Sequence, residues 1–137
     1  MSEMSNYLED EILDHMLGEG ARDFTSPATL FIALTTATPT DASTGATITE
    51  VANSNGYARQ AVNFNAASGG SATSNGAITG FTASGGAWGT VTSFVIVDGG
   101  THGAGNVLFW TDLDTSRTVN DGDTLNFADQ AITVTID

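Results

Sequence analysis

The feature that most constrains this chain is its punctuation. Short apolar, β-branched runs recur along most of its length, and each is cut off by glycine, asparagine or aspartate. The clearest case is Ala87-Trp88-Gly89-Thr90-Val91-Thr92-Ser93-Phe94-Val95-Ile96-Val97-Asp98, which stops at Gly99-Gly100-Thr101-His102-Gly103-Ala104-Gly105. The chain then resumes with Asn106-Val107-Leu108-Phe109-Trp110-Thr111-Asp112-Leu113. Runs this short, rich in Val, Ile, Thr and aromatics, are too brief for independent helices and suit strands joined by tight turns. The pair on either side of residues 99–105 predicts an antiparallel β-hairpin.

The same logic runs through the rest. Ala28-Thr29-Leu30-Phe31-Ile32-Ala33-Leu34-Thr35-Thr36 is almost wholly apolar, as a central strand covered on both faces would be. Residues 57–64 alternate, residues 78–83 form a weaker strand, and a short strand is expected at residues 47–51. Asn120-Asp121-Gly122-Asp123 predicts a hairpin turn between Thr118-Val119 and Thr124-Leu125-Asn126-Phe127, since Asp-Gly supplies the positive φ such turns need. In residues 131–136, Ile132, Val134 and Ile136 share one face.

Only the beginning differs. Residues 5–18 read as an amphipathic helix, with Tyr7, Leu8, Ile12, Leu13, Met16 and Leu17 near helical spacing, Ser5 or Asn6 as N-cap and Gly18 as the closing residue. Glu9, Asp10 and Glu11 lie where the helix dipole favours negative charge. Its apolar face can dock on its own domain or on a neighbouring subunit. The expected architecture is therefore mainly β: an antiparallel β-sandwich, Ig-like or jelly-roll-like, over residues 28–137, preceded by a helical arm at residues 1–18. The whole chain, 1–137, reads as a single domain.

Charge excludes several functions. Sixteen acidic residues stand against three arginines, Arg22, Arg59 and Arg117, with no lysine, for a formal charge of −13. Nucleic-acid binders concentrate cations to displace counterions, so nucleic acid is not an expected partner, and an anionic membrane is disfavoured for the same reason. Residues 1–4 lack the basic start of a signal peptide and no apolar run is long enough to span a bilayer, which leads to the expectation of a soluble product made in the cytoplasm. Cysteine is absent, which removes disulfides and thiolate chemistry.

Catalytic motifs are not evident, and the expectation is a protein that is not an enzyme and carries no cofactor. His15 falls among acids on the helix and His102 in the glycine-rich turn, neither in a nucleophile-and-base setting. The glycine-rich turn lacks the lysine of a phosphate loop and joins strand to strand. Asp112 with Asp114, and Asp121 with Asp123, have the alternate spacing used in calcium loops, but neither continues into an EF-hand, and Asp121-Gly122 is already explained by the turn. They stand as weak calcium candidates. Trp88 and Trp110 fall on strands, where core packing is the default and sugar or partner binding the alternative.

The order of these features resembles a family of small bacteriophage virion structural proteins, loosely labelled tail-fibre or decoration proteins. The resemblance is carried by Tyr7-Leu8-Glu9-Asp10-Glu11-Ile12-Leu13-Asp14-His15, Pro27-Ala28-Thr29-Leu30-Phe31-Ile32-Ala33-Leu34-Thr35, Pro39-Thr40-Asp41, Gly56-Tyr57-Ala58-Arg59-Gln60, Trp88-Gly89-Thr90-Val91, Gly122-Asp123-Thr124-Leu125 and Ile132-Thr133-Val134-Thr135-Ile136-Asp137. It implies a place in the virion and no catalysis. The first functional expectation is a capsid decoration or cement protein that binds the major capsid protein on the outer surface of the head, as a homo-oligomer with a trimer favoured. The alternatives are a tail, head–tail connector or fibre-base component, and then a host-glycan binding module. Interface candidates are Tyr7, Leu8, Ile12, Leu13, Met16 and Leu17. Arg59, in Gly-Tyr-x-Arg, joins them as a residue expected to tie strands or subunits through a carboxylate.

Overall fold

A computed structural model describes residues 3–18 and 24–136. Its elements are β1 (Glu3–Met4), α1 (Asn6–Leu17), β2 (Leu30–Thr35), β3 (Gln60–Val62), β4 (Ser71–Thr73), β5 (Ile78–Thr82), β6 (Gly89–Val97), β7 (Val107–Val119), β8 (Thr124–Phe127) and β9 (Thr133–Thr135). Five strands make one antiparallel sheet in the order β1-β7-β6-β2-β3. Two antiparallel ribbons, β4-β9 and β5-β8, form the layer that faces it. The arrangement is sandwich-like and mainly β, with one N-terminal helix, as the strand pattern predicts.

The near-continuous apolar runs of β2 and β6 are explained by burial on both faces of the sheet. Successive strand residues point to opposite sides. Ile32, Leu34, Phe94 and Ile96 join a core with Phe81, Leu125, Phe127 and Ile132 from the ribbon layer. Ala33, Val95, Val97 and Val107 form a smaller cluster on the other side, against Phe31, Ile48 and Trp110. Register holds these sets together: Phe31 faces Val97 and Thr35 faces Ser93, while Val95 faces Trp110 across the β6–β7 hairpin. Phe81 is fully buried, with rings of Tyr57, Trp88 and Phe127 around it.

Helix α1 is fastened at its start. The Ser5 side chain accepts from the Leu8 backbone N–H as an N-cap, and Gly18 ends the helix in the left-handed region at φ 78°. The Ser5 hydroxyl donates to the Val107 carbonyl and its N–H donates to the Leu108 carbonyl at 3.0 Å. Asn6 N–H reaches the Asp41 carbonyl at 2.9 Å. The cap therefore staples the helix to the β7 edge, where β1 adds a two-residue strand that the sequence pattern does not predict.

Two expected features are corrected. Asp121-Gly122 does form a tight turn, with Gly122 at φ 85° and Asp123 N–H bonded to the Asn120 carbonyl, but its flanking strands do not pair. β7 stays with β6 while β8 pairs with β5, so the turn carries the chain from one layer to the other. The expected strand at residues 47–51 is a turn followed by a single bridge between Thr35 and Glu50. Thr44 and Thr47 are the reason: the Thr47 hydroxyl accepts from Thr44 N–H, and Thr47 and Ile48 N–H both turn back to the Thr44 carbonyl.

That turn lies close against the β6–β7 loop. Gly45 N–H donates to the Gly105 carbonyl at 2.9 Å, and a Cβ at Gly45 would sit 2.0 Å from the Ala104 oxygen. Backbone, not a yielding side chain, occupies that space. Gly45→Ala should therefore destabilise the protein by about 1–3 kcal/mol, measured by urea unfolding. Wild-type stability in that variant would mean the two loops are not packed as described.

Candidate functional site

Three regions combine unusual chemistry with an address in the fold: a buried ionic knot, the outer face of α1, and a groove beside β7.

The knot is built around Glu50 and Arg59, whose side chains are 2% and 0% exposed. Arg59 Nε donates to Glu50 Oε1 and its Nη2 to Oε2, both at 2.8 Å, the bidentate fit of guanidinium to carboxylate. Arg59 Nη1 donates to the carbonyls of Gly99 and Ala104 at 2.8 and 2.9 Å. Tyr57 completes the set: its hydroxyl donates to Glu50 Oε1 and accepts from Leu34 N–H of β2. Gly103 N–H reaches Glu50 Oε2 at 3.3 Å, and a His102 ring nitrogen lies 2.9 Å from the Val51 carbonyl, to which it donates. Burial pushes the Glu50 carboxyl upward. The hydrogen bonds from Arg59 and Tyr57, with the Arg59 charge, outweigh it and hold the group below its usual 4.5. Burial and the neighbouring Glu50 charge push the Tyr57 phenol up. All these bonds are within the chain, so Arg59, expected among the interface residues, lies inside the protein.

Most loop carboxylates are likewise committed to backbone or side-chain donors. Asp121 accepts from Gly85 and Gly86 N–H, Asp123 from Asn120 N–H, Asp129 from Gly76 N–H, and Asp98 from Asn106. Asp112 accepts from the hydroxyls of Thr38 and Ser93. The weak calcium candidates Asp112, Asp114, Asp121 and Asp123 thus fall in two separate places. Among the described residues no group of three or more metal-ligating side chains converges. Trp88 is buried, its indole N–H on the Asn55 carbonyl, and Trp110 is half-buried with its N–H on Asp41. His15 closes the exposed last turn of α1.

The helix divides its apolar residues. Leu8 is buried and Tyr7 and Ile12 are half-buried against the domain. Leu13, Met16 and Leu17 face outward, at 54%, 74% and 74% exposed. The six therefore do not share one docked face, because the stripe they make is broader than the contact α1 has with β7. Scattered exposed apolar side chains need no explanation, but two leucines and a methionine together on a single helical surface do.

Residues 111–115 and Arg117 of β7, with Phe94 of β6 and residues 125–127 and 131–133, line a groove of about 470 Å³. Beside it the β6–β7 ladder steps from Ser93 opposite Asp112 to Val91 opposite Arg117, a bulge that sets residues 113–116 out of the ladder. The sequence reading missed Glu50 and Tyr57 as members of one site. Its only signal was an isolated acid between Thr49 and Val51, followed by Tyr57 and Arg59.

A family model described as podophage GP4 fiber I protein gp80 matches residues 3–135 of the chain. No curated protein matches it. No helix among the described residues is long and apolar enough to cross a membrane.

Removing one partner of a buried ion pair leaves an uncompensated charge, so Arg59→Met should cost about 3–5 kcal/mol. The loss should depend on pH. With the folded pKa depressed, the contribution of Glu50 is fully present above 4.5 and is lost as pH falls through the folded value. The stability gap between wild type and variant, from urea unfolding at a series of pH values, should narrow below 4.5. A gap independent of pH would contradict the assignment.

Proposed function

The chain belongs to the podophage GP4 fiber I protein gp80 family, a family of phage virion structural proteins, and from that premise we propose that it is a non-enzymatic fibre component held in the particle by protein–protein contacts, with the outer face of α1 as its attachment surface. The observation that carries the reading is the exposure of Leu13, Met16 and Leu17 on a helix whose first turn is bonded into the sheet. A helix fixed at its base and apolar on its free side offers a pre-formed ridge for a groove in another protein, with little ordering cost on binding.

Charge indicates the partner's chemistry. Exposed Glu9 and Asp10 and half-buried Glu11 and Asp14 sit on the same helix, in a chain of net charge −13. Two such helices repel one another, so the complementary surface is an apolar strip with basic neighbours on a different virion protein. Compact size and acidity also suit capsid decoration, the first expectation from the sequence. The family description tips the choice toward the fibre.

The triple variant Leu13→Ser/Met16→Ser/Leu17→Ser removes exposed groups only and should melt within a few degrees of wild type. Supplied in trans to phage lacking the native gene, it should be missing from purified particles, while wild type is incorporated. Equal incorporation of the two proteins would exclude the helix as the attachment surface.

A further inference from the structure

Cysteine is absent, so no thiol competes with the thioethers when a peroxide meets this chain. Two methionines lie among the described residues, and the fold treats them differently. Met4 sits in the two-residue strand β1, opposite Phe109 of β7, and is half-buried. Met16 stands in the last turn of α1 and is 74% exposed. Trp88 is buried and Trp110 half-buried, each with its indole N–H bonded, so the two indoles are better shielded than Met16.

Met16 also belongs to the apolar ridge. Leu13 has Met16 three residues on and Leu17 four residues on, the spacing that brings side chains together on one helical surface. Methionine suits such a ridge, because its unbranched, polarisable side chain adapts to the shape of an apolar partner. The same thioether can be oxidised, and the leucines beside it have no comparable chemistry.

We infer that Met16 is an oxidation-sensitive contact: a peroxide that converts it to the sulfoxide blocks attachment of the free chain, and seating in the particle protects it. The inference rests on the reading of α1 as the attachment surface. In the oxidation, a lone pair of Met16 Sδ attacks one oxygen of hydrogen peroxide and the O–O bond breaks. The sulfur loses two electrons and keeps that oxygen. Its proton passes to the departing oxygen, so the peroxide is reduced to water. The sulfoxide is polar and chiral where the thioether was apolar. Pressed against an apolar strip, its oxygen gives up water without gaining a donor, which weakens the contact. The fold is little affected, because Met16 faces solvent and not the core.

The test treats the purified full chain with hydrogen peroxide and locates the sulfoxide by peptide mass spectrometry. Met16 should oxidise several-fold faster than Met4, with the melting temperature within a few degrees of the untreated protein. Mixed with particles assembled without the native gene, the oxidised chain should be incorporated about tenfold less than the untreated chain, or worse. Methionine sulfoxide reductases of both epimer specificities should restore incorporation. Met4→Leu should lose incorporation on oxidation just as wild type does. Peroxide applied to intact wild-type particles gives a readout that needs neither variants nor mixing: Met16 should oxidise several-fold more slowly there than in the free chain. Faster oxidation of Met4, equal incorporation of oxidised and untreated chains, exclusion that the reductases do not reverse, or equal oxidation of Met16 in particle and free chain would each overturn the inference. The triple serine variant separates the two levels. If it is missing from particles while the oxidised chain enters, the redox step is wrong and attachment through α1 stands; if both enter, the attachment reading fails as well.

Discussion

The buried pairing of Glu50 with Arg59 is the interaction on which the rest of the architecture depends. It joins segments far apart in sequence: residues 50–51, the approach to β3, the loop at residues 99–105 and, through Tyr57, the backbone of β2. Glycine-rich loops have high conformational entropy, and residues 99–105 contain four glycines. Arg59 restrains that loop from inside with two carbonyl contacts, Glu50 adds the Gly103 amide, and Gly45 packs against its outer side. Desolvating two charges offsets much of their attraction, so the pair is better regarded as a device that selects one loop conformation than as a large net source of stability. Once the loop is fixed, the β6–β7 hairpin has a defined register, and β7 can carry both the seat of α1 and the bulged groove.

Much of this was legible from residue order. β2, β6 and the first half of β7 declare themselves by apolar runs that only a sheet covered on both faces would use. The helix announces both ends through Ser5 and Gly18. What local pattern could not reveal is which strand each run would meet. Thr118-Val119, Asn120 to Asp123 and Thr124 to Phe127 have the composition of a hairpin, yet Leu125 and Phe127 find their partners across the core in β5. Burial opposite Phe81 outweighs the local preference for pairing. The same applies to β7, where the apolar run ends at Leu113 and polar residues 114–117 separate it from the expected strand at Thr118-Val119. The structure joins the two into one strand, because Arg117 and Thr118 pair with β6 beyond the bulge at residues 113–116.

The candidate sites were legible to different degrees. The six apolar residues of α1 stood out in sequence, but only the fold separates Leu8, which is covered, from Leu13, Met16 and Leu17, which are not. Arg59 stood out by its rarity among cations. Its partner could not be identified, because sixteen acids were available and spacing alone does not choose among them. The groove left no local trace, since Phe94 of β6 meets β7, β8 and β9 there only once the two layers have packed.

An apolar ridge on a helix anchored to the sheet is suited to assembly, where modest contacts gain strength through symmetric repetition. What the fold is built for is therefore a place in the particle. It is tested most directly by counting copies of this chain per purified virion, using quantitative mass spectrometry with the major capsid protein as internal reference. A fibre component should be present in a few to a few dozen copies, in a fixed multiple of the tail's symmetry. Hundreds of copies in simple ratio to the shell protein would place it on the capsid, and absence from the particle would contradict the account altogether.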